Sequence, residues 1–92
     1  MTDVTLTPGD STVGDAADAY GVTIIRILRV LRDCGTDVYT PDTGRAAVVS
    51  HAGRKFAFLT GEGVAGIYGA AGVYLGADSI DVLARYIGRR RA

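Results

Sequence analysis

The chain contains no tryptophan and only one cysteine, one methionine, one histidine and two prolines in its 92 residues. With Cys34 alone, no internal disulfide can form, so stability has to come from packing, and a reducing, cytoplasmic setting is expected. Cys34 follows a helical apolar pattern and is expected as a small core residue rather than a reactive thiol. His51 stands beside a turn and Glu62 is the one glutamate; the other acidic residues are aspartates at cap and turn positions, where they serve backbone hydrogen bonding. No spacing joins these groups into a nucleophile–base pair or a ligand cluster. No catalytic residue, metal or cofactor is therefore expected, and the chain is not expected to be an enzyme. Long apolar runs are also missing. The longest uncharged stretch, residues 63–77, falls short of the roughly 20 residues a bilayer crossing needs and is diluted by glycine. The opening MTDVTLTPGDST is acidic and lacks the apolar core of a secretory signal. The expectation is a protein without a membrane role, located in the cytoplasm or in a particle assembled there.

Net charge is zero, yet its distribution is uneven. Asp3, Asp10, Asp15 and Asp18 give residues 1–18 a charge of −4 with no Lys or Arg, which leaves +4 on residues 19–92. A balanced total argues against bulk capture of nucleic acid or membrane but leaves local patches open. Nine of the ten basic residues are Arg.

The length suits one domain with a modest core, so function is expected on a surface rather than in a deep cleft. Residues 1–11 read as an extended acidic arm turned by Pro8-Gly9, residues 12–88 as a single α+β domain, and residues 89–92 as a basic tail. Thr12 and Asp15 have the spacing of a helix start. From there Tyr20, Ile24, Ile27, Leu28, Val30, Leu31 and Cys34 share one side at 100° per residue, with Arg26, Arg29 and Arg32 opposite. Gly35 supplies a left-handed stop, so a helix over 15–34 is predicted. Three β-prone runs follow, 37–40, 45–51 and 55–60, divided by Pro41-Asp42-Thr43-Gly44 and Ala52-Gly53-Arg54. Such short dividers demand an antiparallel three-stranded meander, with one face packed on the helix. Ile80, Leu83, Ala84 and Ile87 mark a final helix over about 79–88, opened by Asp78-Ser79 with Asp81 placed as a capping partner.

Between strands and final helix lies GVAGIYGAAGVYLGA, with glycine at 63, 66, 69 and 72. As a helix, it gathers Val64, Ile67, Tyr68, Ala71, Tyr74 and Leu75 on one side and glycines and alanines on the other, broken only by Val73. Four interior glycines cost such a helix on the order of 3–4 kcal/mol against alanine, which close backbone approach by a neighbour would have to offset. The alternative is a hairpin of two short strands around Gly69-Ala70-Ala71-Gly72. The helix makes Gly66, Gly69, Gly72, Gly76 and Val73 a flat surface for a docking partner.

These features point to a small protein-interaction or assembly component, of a virus or another multi-subunit particle, that forms a homo-oligomer or docks on a protein partner. The competing expectation is a nucleic-acid-binding regulator that grips phosphates through Arg26, Arg29 and Arg32, extended by Arg85, Arg89, Arg90 and Arg91. The tetrapeptides of GxxG form offer no phosphate loop, since no Lys or Arg lies between Lys55 and Arg85.

Overall fold

A computed structural model describes residues 4–35, 37–53, 55–67 and 69–88. Its first helix, α1 (Val13–Tyr20), opens with a complete capping box: the Thr12 hydroxyl accepts from the Asp15 amide at 3.1 Å and the Asp15 carboxylate from the Thr12 amide at 3.0 Å. The predicted single helix over 15–34 is in fact two. Gly21 takes the left-handed conformation (φ 67°) and its N–H closes α1 on the Ala17 and Asp18 carbonyls. The Thr23 hydroxyl then caps a new helix, α2 (Ile24–Cys34), through the Arg26 amide. A left-handed glycine followed two residues later by a hydroxyl cap is stop-and-start chemistry that overrides the continuing apolar period. Gly35, also left-handed, ends α2 as expected.

The strands β1 (Asp37–Thr40), β2 (Gly44–His51) and β3 (Lys55–Thr60) form the expected antiparallel meander, with Val38 opposite Ala46 and Val48 opposite Phe58. Gly44 and Gly53 hold positive φ in the two connecting turns. The sheet does not end there. A two-residue turn at Gly61-Glu62 leads to β4 (Gly63–Ala65) on β3, and β5 (Tyr74–Leu75) pairs with β1, giving five antiparallel strands in the order β4-β3-β2-β1-β5. The three-stranded meander is thus the centre of a five-stranded sheet.

The glycine-rich stretch is accordingly not a helix. It runs from one edge of the sheet to the other through a single 3-10 turn at Ala70–Gly72, with Gly69 at φ 50°. The hairpin alternative, with strands over 65–70 and 71–77, does not form either: the short strands of this region, β4 and β5, lie at opposite edges and pair with β3 and β1 instead of each other. Backbone pairing with strands already present recovers the hydrogen bonds that a glycine-rich helix would hold at a propensity penalty. The close approach expected of these glycines is absent at Gly66, Gly69 and Gly72 and is found at Gly76, against Asp37, and outside the stretch at Gly14, where a Cβ would stand 3.1 Å from both the Cβ and the carbonyl of Ala71 as α1 meets the 3-10 turn.

The last helix, α3 (Ala77–Tyr86), starts two residues earlier than predicted, on Gly76. Asp81 does not cap it but pairs with Arg85 at 2.7 Å. All three helices lie on one face of the sheet, where Val13, Ile27, Leu28, Leu31 and Leu83 pack with Val38, Val48, Phe56, Phe58 and Leu75. Cys34, at the end of α2, is exposed rather than in the core. Burial along α2 stops at Leu31, one turn earlier. Of the expected arm, residues 4–11 lie against the domain: Val4 and Leu6 are partly buried on the core and the chain turns at Pro8-Gly9.

No helix among the described residues is long and apolar enough to cross a membrane.

Candidate functional site

Among the described residues no helix covers the second face of the sheet, although Ala57 on that side is buried at 3% exposure. Cross-strand register places Tyr74, Tyr39, Arg45, Ala47, Val49, Ala57, Leu59 and Val64 on that side. It is rich in apolar side chains: Leu59 is 46% exposed, Val64 56% and Tyr74 36%, while Ile67, just after β4, is 44% exposed. Beside β4, His51, Lys55, Ala57, Val64 and Ile67 help line a hollow of about 300 Å³. Directly paired residues share a face in antiparallel strands, so these side chains lie on one side of the sheet, Leu59 and Val64 paired near one edge and Tyr74 on the strand at the other.

The β5 edge of the sheet is closed by the amino-terminal segment. The Gly9 amide donates to Leu75 O at 2.8 Å, the Leu75 amide to Ser11 O at 2.9 Å and the Val13 amide to Val73 O at 2.8 Å. Thr12 bridges Tyr74 in the same run. A sheet edge protected in this way offers no template for another strand.

At the junction of β5 and α3, an aspartate from a different element supplies the missing cap. Gly76 has no side chain to offer, and the Asp37 carboxylate accepts from the Ser79 amide at 3.2 Å. The buried Ser79 hydroxyl donates to the Asp37 carbonyl, which also accepts from the Gly76 amide. A Cβ on Gly76 would overlap the Asp37 carboxylate, so glycine is required there by its neighbour. No family model, curated protein or solved structure matches the chain.

The residues singled out for docking do not form one surface. Val73 and Gly76 are buried, Val73 at 1% exposure, and Gly66, Gly69 and Gly72 are exposed with nothing within 4 Å of a Cβ. The arginine stripe divides as well. Arg32 is held by Asp33 at 2.8 Å and lies over the Phe56 ring at 5.3 Å, and Arg85 is held by Asp81. Arg26 and Arg29 have no ion pair among the described residues and line a second hollow, of about 490 Å³, together with Val30, Asp33, Cys34 and Tyr86. Arg89, Arg90 and Arg91 lie outside the described residues. His51 and Glu62 are exposed in or beside turns. Among the described residues no group of three or more His, Cys, Asp or Glu is placed to hold a metal ion.

Tyr86 and the uncovered sheet face are the features that reading the sequence misses. Tyr86 is offset from the apolar stripe of α3, a detectable signal. The open face has no local signal, because it depends on all three helices choosing the same side.

Proposed function

We propose that this protein is a small non-enzymatic interaction domain, an assembly component that self-associates through the uncovered face of its sheet. The observation that supports this reading is the sidedness of the fold, three helices on one face and Leu59, Val64, Ile67 and Tyr74 exposed on or beside the other. Adjacent exposed apolar side chains on one flat surface are the usual sign of a contact site, whereas isolated ones carry no message. A second copy suits the patch. Five strands about 4.8 Å apart and up to eight residues of about 3.3 Å bound the face at roughly 24 by 26 Å. Two such faces stacked would remove on the order of 1,000 Å² in total, the size at which specific interfaces begin. The pairing is isologous, the same patch on both copies, and closes as a two-fold dimer.

The test is light scattering coupled to size exclusion across a concentration series, with Leu59→Lys and Val64→Lys compared with the parent chain. The parent is expected to move from monomer to dimer mass as concentration rises. Each lysine variant, altered at an exposed position, is expected to stay monomeric with an unchanged circular dichroism spectrum. A parent that is monomeric throughout, or a dimer indifferent to both substitutions, would defeat the proposal.

A further inference from the structure

The groove between α2 and α3 combines three features that the packing of the domain does not use. Arg26 and Arg29 come from successive turns of α2 and form no ion pair among the described residues, in contrast to Arg32 and Arg85, each held by an aspartate. Across from them Tyr86 of α3 is 51% exposed, a ring left at the surface. Between them Val30 and Cys34 give the groove an apolar lining, and its volume of about 490 Å³ falls within the range of small-ligand sites, about 300–1,000 Å³. Asp33 also lines it, but its carboxylate is engaged by Arg32 at 2.8 Å.

We propose that this groove binds a nucleoside phosphate, the base stacked on Tyr86 and the phosphate held by Arg26 and Arg29. Guanidinium groups match phosphate oxygens in a two-pronged geometry, and an aromatic ring offers a stacking surface that any base can use. The sequence continues past Gly88 as Arg89-Arg90-Arg91, which adds three positive charges directly after the helix that carries Tyr86. An acidic peptide would satisfy the arginines but leave Tyr86 without a role. The proposal is independent of the sheet-face dimer, since the groove lies on the helix layer.

Cys34 makes the site directly readable, being the only thiol in the chain, exposed, and part of the groove lining. The experiment measures its alkylation rate by iodoacetamide on the full chain, alone and with AMP, a single-stranded 12-mer oligonucleotide or poly-glutamate. Fluorescence anisotropy of the labelled 12-mer is followed in parallel. Expected are several-fold protection of Cys34 and salt-dependent anisotropy. Arg26→Gln with Arg29→Gln should lower the affinity about tenfold or more and flatten the salt slope by about 0.7 per charge removed. Tyr86→Leu should weaken binding by about fivefold or more at unchanged salt slope, and Arg85→Gln should change it little. Protection by AMP as strong as by the 12-mer identifies a free nucleotide as the ligand; protection by the 12-mer alone identifies a strand. The proposal is overturned if neither AMP nor the oligonucleotide protects Cys34 at low salt, if poly-glutamate protects it equally well, or if Tyr86→Leu binds as the parent does.

Discussion

Asp37 is the residue on which the junction of sheet and helix turns. Its side chain does for α3 what an N-cap does, but from a neighbouring strand, and the bond it makes to the Ser79 amide ties strand position to helix start. Asp37→Ala is expected to cost about 1–2 kcal/mol, the range for losing a capping side chain, with Asp37→Asn recovering part of it. Gly76→Ala should also destabilise, and by less in the Asp37→Ala background because the overlap is then gone. Urea midpoints of the four variants read the coupling, and additive effects would show that Gly76 is not held to glycine by Asp37. Tyr20 gives a prediction in pH. Burial raises its phenol pKa above the ordinary 10.0, so the neutral ring is the form the fold accepts. A group whose folded pKa is raised contributes stability that is complete below its unfolded value and is lost as pH rises through the folded one. Thermal stability is therefore expected to fall above about pH 10, and to fall less steeply in Tyr20→Phe; identical slopes would exclude Tyr20 as the cause.

The interruption at Gly21-Val22-Thr23 turns one amphipathic stretch into two helices that pack on each other, α1 also against the 3-10 turn and α2 against β2. Gly21 sits at φ 67°, where a side chain is strained, and Gly21→Ala is expected to lose on the order of 1 kcal/mol in chemical denaturation. In a continuous helix the same change would gain about that much from propensity, so the sign of the effect distinguishes the two arrangements. This break was concealed in the sequence because Tyr20, Ile24 and Ile27 continue the apolar period across it. The meander strands were legible because alternation and turn chemistry agree locally, as they do at Pro41-Asp42-Thr43-Gly44. The stretch 63–77 was not, since a glycine spacing of three is also compatible with short strands, and β5 finds its partner far away in sequence, Val38 for Leu75, although Val64 meets Leu59 across a short turn. The same limit governs the groove: Arg26 and Arg29 stand out on α2 by themselves, whereas their meeting with Tyr86 is a product of how α2 and α3 pack.

At the level of the whole molecule the described residues form two layers, helices on one face of a sheet, and residues 4–11 belong to that structure. Removing residues 1–11 takes away Val4 and Leu6 from the core margin and the backbone bonds of Gly9 and Ser11 to Leu75. The shortened chain is expected to melt several degrees lower, about 4–8 °C per kcal/mol for a domain of this size, and to aggregate more readily through the bared β5 edge. An unchanged melting temperature would show that the segment contributes nothing. The clamp on β5 also sets an order of events. During synthesis the amino-terminal segment and the outer edge of β1 emerge from the ribosome long before Tyr74 and Leu75, the residues that each of them must hold. The first two helices and the central hairpins can form as they appear, but the seam between them stays open until β5 arrives, so Gly9 and Ser11, though made early, are among the last to find their partners.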